Sequence, residues 1–262
     1  MTFCLGMKTE EGLLAIADTR ITSGNEASVA KKISVHEHQG SSMFILTSGL
    51  RSLRDKAITY FDERLQGNGT DLDKMYKAAN ALAEEIRRVR TEDQRWLAES
   101  GLAFDLHLIL GGQLRSDDQH RLFLIYPEGN WIEVGRATPY VIIGETRYGK
   151  PLLDRVWRYG RSLREALRDG LLSFDATRTS ATDVDPPVDV VLYYRGRFTM
   201  HELRLGAEEL DPVSRFWNQE IEQAVSRASA VVDPLFARLE AAPAGEPAAA
   251  FPARPPRAAA GE

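Results

Sequence analysis

Apolar residues recur at every second position where the chain begins. Phe3, Leu5 and Met7 alternate with smaller residues, and Glu10-Glu11-Gly12 reads as a hairpin turn into a second strand over residues 13–18. Two further short strands are predicted over residues 33–36 and 43–47, joined by Gln39-Gly40-Ser41. After Gly49 the period changes from 2 to 3.6. Leu53, Ala57, Tyr60 and Leu65 share one helix face, and Asp71 is placed to cap a longer helix. That helix carries Met75, Ala79, Leu82, Ile86 and Val89, an apolar stripe at helical spacing.

The second half follows the same style. Strands are predicted over residues 106–110 and 122–126, with Pro127-Glu128-Gly129-Asn130 turning the chain into a strand over 131–134. Ser162-Leu-Arg-Glu165 has the form of a capping box, opening a helix with Leu163, Ala166, Leu167 and Leu171 on one face. Residues 188–194 read as a buried strand, Arg195-Gly196-Arg197 as a tight turn and 198–203 as its return, before a last helix over about 213–231. Hairpin-linked strands interrupted by helix pairs predict an α+β fold, a four-layer αββα sandwich of two antiparallel sheets between helical layers.

Composition changes this picture at one place. Residues 240–262 are mostly Ala and Pro and hold five of the twelve prolines, so they lack the bulk to offset their ordering entropy. The expected organisation is one domain over 1–239 and a disordered tail over 240–262. Over the whole chain 43% of the residues are hydrophobic, enough for a full core, yet no apolar run approaches the roughly 18–20 residues of a membrane span. A net charge of −5 without a basic block argues against nucleic acid as a partner. The single cysteine, Cys4, permits no intrachain disulfide and no cysteine-built metal cage. No basic region precedes a long apolar stretch at the N-terminus, so no secretory signal is read and the expected location is the cytoplasm.

Candidate chemistry concentrates at the start. Removal of Met1 would place a free α-amino group and a β-hydroxyl on the same residue, Thr2. An amine with an ordinary pKa of about 7.7–8.0 is a suitable acceptor for the hydroxyl proton. Taken singly, the neighbouring residues have plain readings: an Asp at a strand end is ordinarily a turn or cap residue, a Lys after a loop a solvated charge. Alternation along a strand would put Lys31 and Lys32 on opposite faces. Cys4 reads as a small core residue, and His36-Glu37-His38 offers two imidazoles without a third ligand, so no metal is expected.

Together the spacings say more. Thr2-Phe-Cys-Leu-Gly6, Ala17-Asp18-Thr19-Arg20-Ile21-Thr22-Ser23-Gly24, Lys32-Ile33 and Thr47-Ser48-Gly49-Leu50 resemble the N-terminal segment of proteasome β-subunits, within the N-terminal-nucleophile hydrolases. The opening Thr-Phe-Cys-Leu-Gly, the run from Ile143-Gly144-Glu145 to Asp154-Arg155, and Asp185-Pro186-Pro187-Val188-Asp189 resemble the Anbu group of bacterial homologues. The resemblance implies that Thr2 is the nucleophile, that Lys32 lowers the proton affinity around it, that Asp18 holds Lys32, and that the Gly49 N–H stabilises the oxyanion. Thr22 and Gly49 would line an extended peptide. Arg20, Glu145 and either Asp183 or Asp185 are supporting candidates. Ordinary β-subunits have Gly-Ser-Gly where Gly144-Glu145-Thr146 stands and Asp-x-x-Ser-Gly where Asp183 to Pro187 stands, so the groups around the amine are altered here. The implied protein is a threonine peptidase or amidohydrolase without metal or organic cofactor, assembled with itself as a ring or spiral. It would take peptide or protein substrates, with room in the scheme for an unidentified activator. Two alternatives stay open: a weak or inactive scaffold that binds peptides or partner enzymes, and an amidase dedicated to one small peptide.

Overall fold

The computed structural model describes residues 2–23, 26–38, 40–67 and 72–242, with backbone alone for 21–23, 26–29 and 38. Strand parity builds its layers. In β1 (Phe3–Lys8) and β2 (Gly12–Asp18) both faces are buried. Phe3, Leu5, Met7, Leu14 and Ile16 pack with Leu153, Trp157, Ala166 and Phe174 of a helical layer. Their alternates Cys4, Leu13, Ala15 and Ala17 pack instead against Phe44, Leu46, Ile109 and Leu122 of a second sheet. A strand that is apolar on both faces must be covered twice, which is why the alternation at the N-terminus generates an interior sheet. Each fully buried Leu, Ile or Phe here is worth about 1.5–3 kcal/mol of transfer free energy.

The second sheet repeats the logic. It comprises β5 (Ile33–His38), β6 (Ser41–Gly49), β7 (Leu106–Gln113), β8 (Arg121–Ile125) and β9 (Trp131–Glu133), in that spatial order and antiparallel throughout. Phe44 and Leu46 face the first sheet, whereas Met43 and Ile45 face α1 (Arg51–Gln66) and α2 (Met75–Glu99). The first sheet is completed by β10 (Tyr140–Gly144), β11 (Val188–Tyr194) and β12 (Met200–Leu205), in the order β10-β1-β2-β11-β12. Its outer face carries α3 (Lys150–Val156) and α4 (Leu163–Ser180). These layers form the αββα sandwich. A separate hairpin, β3 (Arg20–Ser23) with β4 (Glu26–Val29), follows β2.

Several boundaries differ from the sequence reading. Asp71 lies outside the described residues, and α2 opens at Met75, whose N–H is taken by Asp117 Oδ2 at 2.8 Å, a cap from 42 positions away. The strand expected from 198 begins at Met200, because Phe198 has φ 52° and cannot continue an extended ladder. The helix expected over 213–231 is α5 (Ala207–Glu240); Glu208 and Glu209 favour its first turn, and Glu209 Oε2 accepts from Gly206 N–H at 2.8 Å. On α1 the buried face is Leu53, Ala57 and Phe61, with Tyr60 and Leu65 only partly covered. The capping box at Ser162 and Glu165 forms as read. β3, β4, β10 and α3 carry no separate signal in the pattern.

The chain divides into two compact units, Met1–Arg215 and Phe216–Glu262. The described part of the second is the remainder of α5 and its closing turn, and most of the Ala/Pro-rich segment, residues 243–262, lies outside the described residues. Among the described residues no helix is long and apolar enough to cross a membrane.

Candidate active site

β1 delivers Thr2 to the end of the first sheet, where β2 ends at Asp18. The two strands pair with Cys4 opposite Ala17. Asp18 therefore lies against the first peptide units of β1, and its Oδ1 accepts from Phe3 N–H at 2.8 Å. Its other oxygen, Oδ2, accepts from Lys32 Nζ at 2.8 Å. Lys32 Nζ also donates to the Arg20 carbonyl at 2.6 Å. The Asp18 side chain is 0% exposed and that of Lys32 4%, so this ion pair is fully desolvated and its two members cannot be replaced separately without leaving a buried charge. Burial pushes the Asp18 carboxyl up, against the Lys32 charge and hydrogen bond and the Phe3 amide, which favour its ionised form.

Lys31 and Lys32 diverge. Lys31 is exposed and pairs with Glu202 at 2.5 Å, whereas Lys32 turns inward. Strand alternation is not the cause: both residues precede β5, and two different acidic partners separate them.

The second sheet supplies the opposite wall. Thr47 N–H donates to the Lys32 carbonyl at 3.1 Å, and the Cys4 thiol donates to the Thr47 carbonyl at 3.6 Å. Amide directions alternate along a strand, so the N–H of Gly49 leaves β6 on the same edge as that of Thr47, beyond the rung that Lys32 forms. Gly49 has φ 122°, and a Cβ there would meet the Asp105 carbonyl oxygen at 2.1 Å. Only glycine fits this approach. Burial raises the Cys4 thiol, which is then an inert core group rather than a second nucleophile.

β10 closes the third side. Gly144 pairs with Phe3, and Glu145 N–H donates to the Thr2 carbonyl at 2.7 Å. The Glu145 carboxylate turns away to Arg147, with Oε1 accepting from Arg147 Nε at 3.0 Å and Oε2 from Nη2 at 2.7 Å. Those hydrogen bonds hold it below the usual carboxylate range, against its burial. Thus it is the backbone of Glu145 that touches Thr2.

Asp185 pairs with Arg20, Oδ2 to Nη1 at 3.0 Å, while Asp183 sits in the turn closed by Val184 N–H to the Ala181 carbonyl. The adjoining Pro187 carbonyl accepts from Thr19 N–H at 3.0 Å and Thr19 Oγ1 at 2.8 Å. Thr22 lies on β3 opposite Ala27. His36 is occupied by Ser34 and Asp62.

The structure thus brings Asp18, Lys32, Arg20 and Asp185 into one hydrogen-bonded chain ending at the peptide unit after Thr2. Two participants carry no signal of their own in the sequence, the Thr47 carbonyl and Arg147. Only the opposite charge two places after Glu145 hints at the latter.

Known proteins share this fold. A family model described as "Proteasome subunit" matches residues 2–185. Among solved structures, the chain is similar to an Anbu (Gly-1) mutant from Hyphomicrobium sp. strain MC1, with 34% identity over 87% of this chain and 100% of that one and a TM-score of 0.81. It is similar to Anbu, an ancestral beta-subunit, from Yersinia bercovieri, with 29% identity over 86% of this chain and 96% of that one and a TM-score of 0.79. It is also similar to the helical assembly of the Anbu complex from Pseudomonas aeruginosa, with 27% identity over 86% and 96% of the two chains and a TM-score of 0.81. No curated protein matches the chain. With the family match running from the candidate nucleophile to Asp185, the chain belongs to the proteasome-subunit family, in its Anbu group.

Proposed function

We propose that this chain is a threonine-type N-terminal-nucleophile hydrolase of peptide amide bonds, active after Met1 is removed. The Thr2 α-amine accepts the Oγ proton as Oγ attacks the substrate carbonyl, and the Gly49 N–H donates to the oxyanion. The amine then passes its proton to the leaving nitrogen as the C–N bond breaks, leaving an ester on Thr2. Water, deprotonated by the same amine, cleaves that ester and restores the hydroxyl. Lys32 keeps a positive charge beside the nucleophile, and Asp18 holds both Lys32 and the strand that carries Thr2. The single observation that supports this reading most is the Asp18 carboxylate, buried and shared between Lys32 Nζ and Phe3 N–H at 2.8 Å each. That one carboxylate fixes the lysine and the strand carrying Thr2 relative to each other, as the chemistry requires.

The self-assembly of the Pseudomonas aeruginosa relative favours a homo-oligomeric spiral or ring here, since identical heterologous contacts either close or propagate. The expected location is the cytoplasm. A second reading, a scaffold without turnover, is favoured by Pro186-Pro187 standing where the family has Ser-Gly. The test is peptide hydrolysis and labelling by a threonine-directed electrophile, for wild type and Thr2→Ala, on protein whose intact mass shows Met1 removed. Loss of both in Thr2→Ala is expected. Equal hydrolysis by the two proteins places the site elsewhere, and a wild type without turnover or adduct leaves the scaffold reading.

A further inference from the structure

Charged side chains gather in pairs round the start of β1. Asp18 balances Lys32, and Asp185 balances Arg20. From α1, Arg54 faces this region and is paired with Asp55 at 2.6 Å. Asp183 lies in the turn before Asp185, the Cys4 thiol is held neutral by burial, and Thr47 is uncharged. The pair on the β10 side is built differently. The Glu145 side chain is 3% exposed, whereas its partner Arg147 is 70% exposed. One guanidinium covers both carboxylate oxygens, at 3.0 and 2.7 Å, and the Arg147 N–H adds a third bond at 3.0 Å.

This matters because Glu145 is bonded to the nucleophile residue itself, its N–H to the Thr2 carbonyl at 2.7 Å. One hydrogen bond and the glutamate side chain therefore separate its carboxylate from the Thr2 carbonyl, on the order of 7 Å, and the Thr2 amine lies about 3 Å beyond that carbonyl. An uncompensated anion at that distance favours the protonated form of an amine. An ammonium cannot accept the Oγ proton.

We propose that Arg147 is a tuning residue for the Thr2 amine: by chelating Glu145 it cancels the carboxylate's field and leaves the amine able to take the hydroxyl proton at neutral pH. The inference rests on the Thr2 reading above. It assigns to Arg147 no contact with substrate; the residue acts through Glu145. A unit charge about 10 Å away, in an environment between protein surface and water, moves an amine's titration by about half a pH unit.

The amine can be followed without any turnover. Acetylation of Thr2 by limiting acetic anhydride, read by mass spectrometry of the N-terminal peptide across the range in which an α-amine titrates, gives its midpoint. Arg147→Ala should raise the midpoint by about half a unit. Arg147→Lys, which keeps the charge, should stay near wild type. Glu145→Gln with Arg147→Ala should return to the wild-type midpoint or below, an outcome that a purely structural role for Arg147 does not produce. An unshifted Arg147→Ala, or a double variant that keeps the shift, overturns the inference. Because Arg147 is largely exposed, folding is expected to survive; Arg147→Gln gives a second neutral variant with the same expected shift. A normal set of midpoints in protein that hydrolyses nothing refutes the catalytic reading alone, and protein that retains Met1 overturns both.

Discussion

Gly144→Ala tests how tightly β10 fits the strand that carries Thr2. Gly144 has φ 85°, and a Cβ there would lie 2.0 Å from the Thr2 carbonyl oxygen and 3.2 Å from Thr2 Cβ. Real Cβ contacts begin near 3.0 Å, so the Thr2 carbonyl and β10 must separate by about 1 Å, which also weakens the 2.7 Å bond from Glu145 N–H. Holding alanine at positive φ adds about 1–3 kcal/mol of backbone strain. The loss of the hydrogen bond adds about 1 kcal/mol. Stability should therefore fall by a few kcal/mol, while the chemistry should fall much further: a displacement of about 1 Å at a reacting group costs on the order of 100-fold. Gly40→Ala is the control, because Gly40 shares a positive φ of 76° and a Cβ added there would meet nothing within 4 Å. The assay is the second-order rate of Thr2 labelling by a threonine-directed electrophile, with urea unfolding in parallel. Both variants should lose stability, but only Gly144→Ala should lose labelling. If the two label alike, β10 does not position Thr2 and the site geometry given above is wrong.

Asp18→Asn should destabilise the protein by about 3 kcal/mol, since it leaves the buried Lys32 ammonium without its counter-charge, and urea midpoints would show it. Lys31→Ala, which removes only an exposed pair with Glu202, should move the same midpoint by less than about 1 kcal/mol; a larger loss would mean that the Lys31 segment is held through Glu202. His120 gives a pH signature: its ring lies 2.8 Å from the Thr9 carbonyl, and burial lowers it to about 4. An unfolded histidine titrates near 6.5, so between those values the unfolded chain binds a proton that the folded chain refuses. Its contribution is full above about pH 6.5 and falls by about 3 kcal/mol as pH drops to about 4. His120→Gln should flatten that part of the stability curve, and an unchanged slope would show that the imidazole protonates within the folded protein.

The layers were legible because they depend on parity within a few residues. Phe3, Leu5 and Met7 against Cys4 is a local statement, and it separates the helix-facing core from the inter-sheet core. The helix stripes through Met75–Val89 and Leu163–Ala166 were legible for the same reason. Elements whose cause lies far along the chain were not. The start of α2 depends on Asp117, and β10 exists because β1 offers its free edge to residues more than 130 positions away. Phe198 shows the remaining kind of miss, since a bulky residue at positive φ looks like strand in any count of apolar positions.

The candidate site divides along the same line, and the division bears on its chemistry. Thr2, Asp18, Lys32 and Gly49 are recognisable by the spacing of short motifs, and each sits at or beside the end of a strand whose parity is also legible. What links them is not. The Asp18 bond to Phe3 N–H, the Lys32 bond to the Arg20 carbonyl and the Arg147 grip on Glu145 are properties of direction, which residue types do not encode. The consequence is specific. Residue identity at position 145 suggests an anion beside Thr2, whereas direction shows that its charge is taken up by Arg147 and that only its amide reaches Thr2. On the proposed reading, two chains that both carry glutamate here would differ in the basicity of the Thr2 amine according to whether an arginine stands two residues later. The pair is therefore the unit on which activity in such a chain should depend.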